Sequence, residues 1–140
     1  MNRLRSLLIA LAILLLASTA SAQQTNMKVN VPFDFFVGEQ VYPAGEYTLR
    51  SMAGNDAMIR IDGRSEVRSA MLPSNPCAVR QRSEQTKLVF HRFGDSYFLY
   101  QAWIAGNRDG RQFSASHTQR QLAQNIHNGD TVVVAARSIK

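Results

Sequence analysis

The side chains of this sequence that could do chemistry are three histidines, one cysteine and a run of arginines. His91, His117 and His127 are of the type that ligates metals or moves protons. A zinc site needs three or four ligands converging at about 2.0–2.3 Å, and a close-spaced pair usually starts it. No H-x-x-x-H, C-x-x-C or H-E pair occurs, and His117 and His127 stand ten residues apart, at opposite ends of any helix carrying both. Structural histidines, on the surface or half-buried, are expected, and no metal site. A Ser–His–Asp set can be drawn from Ser96, His91 and Asp95. Triads are recognised by geometry and not by order. Gly94-Asp95-Ser96 is equally what a tight hairpin requires, and no G-x-S-x-G elbow is present. A chain without catalytic residues is the first reading, and a small secreted hydrolase using His91 with Asp95 or Ser96 is the alternative.

The remaining chemistry is sparse. Glu39, Glu46, Glu66 and Glu84 are the only glutamates, and each has a turn or a basic residue nearby to explain it. They do not single out an acid and base for glycoside cleavage. Asn107-Arg108-Asp109-Gly110 opens like a calcium loop, yet no glutamate follows Glu84 to close one. Phosphate-cradling G-x-x-x-x-G-K and G-x-G-x-x-G motifs are missing, so no cofactor is expected. Cys77 is the single cysteine and has no partner within the chain for a disulfide. No histidine lies near it in sequence to act as a base, which favours an inert thiol.

Arg60, Arg64, Arg68, Arg80 and Arg82 fall within one stretch. Guanidinium groups that converge hold phosphate or carboxylate through paired hydrogen bonds. These five are therefore the candidate anion-binding residues, with an acidic glycan, a lipid head group or an envelope protein as partner. Arg60 and Arg68 flank Asp62-Gly63 at near-equal distance, which would bring them together across a hairpin, with Asp62 and Glu66 offsetting part of the charge. Stacking of nucleic-acid bases would need exposed aromatics beside the arginines. Phe90, Phe93, Tyr97, Phe98, Tyr100 and Trp103 sit together elsewhere, in one apolar hairpin, which argues against specific nucleic-acid binding.

The elements that must position these residues belong to a short chain of 140 residues. Residues 1–22 read as a Sec-type signal peptide. Arg3 and Arg5 precede an apolar run over residues 7–17, and Ala20-Ser21-Ala22 sets the cleavage point between Ala22 and Gln23. Eleven apolar residues are too few to cross a bilayer, which takes about 20. Residues 23–140 are expected to form one exported domain, periplasmic or secreted, that does not span a membrane after processing. Removing Arg3 and Arg5 leaves 14 basic against 10 acidic residues, or +4 in place of +6. That excess is mild.

Residues 29–37 alternate with a period of two, placing Val29, Val31, Phe33, Phe35 and Val37 on one face of a predicted strand. Pro32 would put that strand at an edge. Pro43-Ala44-Gly45 predicts a turn. Tyr47 and Leu49 continue the alternation, and Ala57, Ile59 and Ile61 resume it after Gly54-Asn55-Asp56. Asp62-Gly63 predicts a two-residue hairpin turn into a weaker strand through Val67, Ser69 and Met71. Residues 72–84, which include Pro73 and Pro76, are predicted to be a loop. Residues 86–93 and 96–104 form a hairpin about Gly94-Asp95, apolar on both faces and so expected to be covered on both. Ser116 caps a short helix with Leu122 and Ile126 on its apolar stripe, ended by Asn128-Gly129, and residues 131–136 close the sheet. Short strands separated by turn signals predict an all-β, mainly antiparallel sandwich or barrel with one short helix in the second half.

Three segments in series resemble a known family. They are Val31-Pro32-Phe33-Asp34-Phe35 with Val37-Gly38, then Pro43-Ala44-Gly45-Glu46-Tyr47, then the run LVFHRFGDSYFL from Leu88 to Leu99. Together they resemble small exported β-rich proteins common in Acidobacteria and similar soil bacteria, over most of residues 23–140. The resemblance implies export and a β-rich fold, and it carries no activity to any residue here. The sequence leads to a non-catalytic exported binding or structural/interaction domain.

Overall fold

The computed structural model describes residues 24–64 and 68–139. The signal segment, its cleavage point at Ala22 and Gln23, and Glu66 and Val67 lie outside the described residues. Ten strands and one helix follow in order: β1 (Asn26–Val31), β2 (Phe35–Val37), β3 (Gln40–Tyr42), β4 (Gly45–Met52), β5 (Asn55–Gly63), β6 (Ser69–Ala78), β7 (Lys87–Phe93), β8 (Ser96–Trp103), β9 (Asp109–Phe113), α1 (His117–Asn125) and β10 (Asp130–Ser138).

Eight of these strands close on themselves into a barrel. Round the wall run β1, β4, β5, β6, β9, β8, β7 and β10, which returns to β1. Every pairing in this ring is antiparallel. Of the two architectures the pattern allowed, the barrel is the one adopted. The β2–β3 hairpin stands outside the ring and meets β8 in parallel, Phe36 beside Phe98.

Alternation decides which side chains face the axis. Along β1, Met27, Val29 and Val31 are buried while Lys28 and Asn30 are not. Leu49, Ile59, Ile61, Leu88 and Phe90 are wholly buried from their own strands. Each such side chain contributes about 1.5–3 kcal/mol when withdrawn from water. Phe35, Val37 and Tyr42 of the β2–β3 hairpin join the same cluster. Phe35 meets Tyr47 and Phe90 edge to face, with ring centres 5.0 and 5.4 Å apart. The interior is a packed core, not a container.

The β7–β8 hairpin turns at Gly94-Asp95 as expected, with Gly94 at φ 61°. A register shift between Val89 and Phe90 lets Leu88, Val89 and Phe90 all be buried in succession. The outer face of this hairpin is covered too. Phe36 stacks on Phe98 at 4.7 Å, and Gln119 of α1 reaches His91. Ser116 caps α1 by accepting from the Gln119 N–H at 3.1 Å, as its position predicted.

Four local expectations are corrected. Residues 29–37 are two strands, because Pro32 ends β1 and the chain turns through Phe33 and Asp34, whose carboxylate accepts from the Ala44 N–H at 2.8 Å. Gly63 is a paired β5 residue opposite Tyr47 and not a turn, and the β5–β6 connection lies beyond it. Residues 72–78 are strand and not loop. β6 leaves β5 after Pro73 and joins β9 from Ser74, so neither half needs donors on both sides and both prolines fit. Finally, α1 ends at Asn125, with Ile126 donating to the Leu122 carbonyl, three residues before Asn128.

Candidate functional site

The five candidate anion-binding arginines separate onto three parts of the barrel. Arg60 lies on the outer wall opposite Arg50 and donates through Nε to Asp62 at 2.8 Å. It is registered with Met71, so it does not meet Arg68 across the hairpin. Arg80 and Arg82 follow the far end of β6, and Arg82 borders a shallow depression beside Trp103. Arg64 and Arg68 sit at the other end, where β5 passes to β6. Arg137 of β10, which no spacing in the sequence ties to them, joins them there.

These three arginines line an open groove of about 870 Å3, together with Asn30, Glu46 and the Pro43–Tyr47 turn. Its floor is set by Tyr47. The ring is 4 % exposed and its hydroxyl donates to the Pro43 carbonyl at 2.5 Å, which fixes the turn. Burial pushes the Tyr47 phenol above its ordinary value, so it stays a neutral donor. Gly63 makes room for the ring, since a Cβ there would stand 3.2 Å from Tyr47 Cε1. The Gly63 N–H donates to the Arg68 carbonyl at 3.0 Å, and the Arg64 N–H to the Glu46 carbonyl at 3.2 Å. Arg64 is thus held by its backbone against β4, and Arg68 against the end of β5. Arg68 is further fixed by its guanidinium, which donates to the Val41 carbonyl at 3.0 Å.

Charge across the groove is unbalanced. Glu46 is the single carboxylate among the described lining residues, and Lys28 already engages it at 3.0 Å. The Lys28 hydrogen bond, with further help from the Arg64 and Arg137 charges, holds the Glu46 carboxyl below its ordinary value. Lys28 and Arg137 are partners in the β1–β10 register. Three arginines therefore line a groove whose one carboxylate is already paired. An arrangement of this kind binds anions.

The three histidines lie apart from one another, in β7, at the start of α1 and beyond its end. His91 is half-buried, stacked on Tyr100 at 3.7 Å, with Nδ1 3.1 Å from Gln119 Nε2. Burial holds its imidazole below the ordinary value. Among the described residues neither Asp95 nor Ser96 hydrogen-bonds to it, and no cluster of three metal-ligating side chains occurs. His117 and His127 are exposed. Glu39, from the β2–β3 turn, accepts from the His117 N–H at 2.6 Å and from the Thr118 hydroxyl at 2.5 Å, tying that hairpin to the start of α1. Cys77 is partly buried opposite Gly110, and burial pushes its thiol up, away from the reactive thiolate.

No helix among the described residues is long and apolar enough to cross a membrane. Compared with known proteins, the chain matches no family model, no curated protein and no solved structure.

Proposed function

We propose that this chain is an exported, non-catalytic binding domain that holds an acidic glycan in the groove of Arg64, Arg68 and Arg137. The observation that carries the reading is that three arginines, from the β5–β6 connection and from β10, line one open groove. An open groove favours a chain-like ligand over a small enclosed one, and several guanidinium groups along it suit repeated carboxylates of such a chain. The buried cluster fills the barrel beneath this groove, so a long glycan would lie along the surface. The outer wall carries Lys28, Asn30, Thr48, Arg50, Arg60 and Asp62, a polar face suited to water and opposite in sense to a lipid-facing barrel. That polarity fits an aqueous setting, and the leader read in residues 1–22 supports export.

Mapping of backbone amide shifts during titration with polygalacturonate tests the proposal. Saturable shifts are expected at Gly45, Glu46, Gly63, Arg64 and Arg137, with none from neutral dextran. Binding to vesicles of anionic lipid in place of the polysaccharide would transfer the groove to a lipid head group. Shifts confined to the Arg80–Arg82 end, or no shifts, would remove the groove as a binding site.

A further inference from the structure

A second cavity, independent of the arginine groove, lies where the barrel wall changes partners. Along one edge of β8, Phe98 meets β2 in parallel, whereas Gln101 and Ala102 meet β9. Leu99 and Tyr100, between them, are registered with neither. β6 also switches partner here, leaving β5 after Pro73 and joining β9 at Ser74, opposite Phe113. The wall therefore has a seam. It opens into a cavity of about 150 Å3 with apolar sides of Phe36, Leu72, Phe98 and Phe113. Ser116 and Gln119, from the first turn of α1, form its polar side.

The chemistry of that lining is specific in two respects. An apolar cavity of about 150 Å3 suits one benzene-sized molecule better than water, which needs several polar partners. The polar side offers a hydroxyl: Ser116 Oγ accepts from the Gln119 N–H and still has its own proton to donate. The first turn of α1 is held in place from both directions. Glu39 grips the His117 and Thr118 end, and the Gln119 amide is pinned to His91. We infer that the seam beneath α1 is a binding site for a single ring-sized aromatic molecule carrying one hydrogen-bonding group. The ring occupies the space bounded by the Phe36–Phe98 stack, Leu72 and Phe113, and its polar group lies toward Ser116.

Phenol and benzene are the probes, titrated separately into the 15N-labelled protein and followed by amide shifts. Phenol should give saturable shifts at Phe98, Leu99, Phe113 and Gln119, and should bind about fivefold more tightly than benzene, the value of one added hydrogen bond. Leu72→Trp fills the cavity from the β6 side and should weaken phenol at least tenfold, or about 1.4 kcal/mol. Ser114→Phe fills it from an exposed position, so it reports even where the larger change at Leu72 disturbs folding. The absence of saturable shifts, shifts away from the seam, or phenol binding that Ser114→Phe leaves intact overturns the inference. Equal affinity for phenol and benzene overturns its polar half.

Discussion

Replacing Gly110 with alanine probes how closely β9 lies on β8, the contact that completes the ring. A Cβ at this position would stand 2.6 and 2.7 Å from Cε3 and Cδ2 of Trp103, and 2.9 Å from the Ala102 carbonyl oxygen. Favourable carbon–carbon contact begins near about 3.5 Å, so something must retreat by about 1 Å. Trp103 has little freedom to do so, being 5 % exposed and tied through its indole N–H to Gln101 at 3.1 Å. The carbonyl belongs to one of only two β8 residues registered with β9. Overpacking of this sort costs about 1–3 kcal/mol. A domain of this size loses roughly 3–6 °C of melting temperature per kcal/mol. Calorimetry of Gly110→Ala should therefore show a fall of about 3–18 °C. In a Trp103→Leu background the added loss should shrink, because the ring that blocks the methyl is gone. Gly129→Ala is the control. Its Cβ would meet Phe93 at 2.5 Å, but that ring is only half-buried and can turn outward. Its cost should stay under about 1 kcal/mol. A Gly110→Ala melting point indistinguishable from wild type, or a larger loss at Gly129, would refute the close approach.

Other perturbations reach different parts of the molecule. Phe90→Ala removes a wholly buried ring that meets both Phe33 and Phe35, and should cost about 3–5 kcal/mol in denaturant unfolding. Burial lowers the His91 pKa, so below the ordinary value of 6.5 the unfolded chain binds the extra proton and stability falls with pH. The melting temperature of wild type relative to His91→Phe should accordingly drop between pH 7 and pH 5 (about the range in which a free imidazole titrates), and a constant difference would contradict it. Glu39→Gln weakens the grip on the start of α1, so hydrogen exchange should speed at Thr118 and Gln119 while the β1 and β4 amides stay protected. Cys77 should react with a thiol reagent at neutral pH more slowly in the native protein than after unfolding, since burial opposes its thiolate.

The fold class was legible in the sequence because strand alternation and turn chemistry are local. Val29 and Val31, Tyr47 and Leu49, and Ile59 and Ile61 each mark their own inward face, and Gly94-Asp95 and Ser116 mark a turn and a cap. Barrel closure was not, since it rests on β1 meeting β10 and β6 meeting β9, pairings between residues remote in sequence. The same cause hid one of the three arginines of the candidate site. Arg64 and Arg68 were visible as part of a basic stretch, but Arg137 reaches them only through the β1–β10 register that sets it beside Lys28. Proximity in sequence misled in the other direction for Arg60, Arg80 and Arg82. β6 carries the chain from one end of the barrel to the other between Arg68 and Arg80, so residues twelve apart in sequence face different water. Pro73 and Pro76 misled for a related reason: they read as loop formers, and only the mid-strand exchange of partners makes them compatible with β6.

The most direct test of the anion-binding groove is the affinity for polygalacturonate of two matched sets of variants at low salt. Arg64→Gln, Arg68→Gln and Arg137→Gln together remove the three guanidinium groups of the groove, while Arg80→Gln and Arg82→Gln remove charge from the other end of β6. At about fivefold per exposed guanidinium, the groove triple should weaken binding by roughly a hundredfold and flatten its salt dependence. The far-end pair should change it by less than about threefold. Losses that scale only with the charges removed, three against two, would show that only net charge matters, and an unchanged affinity in the groove triple would contradict the assignment of the groove.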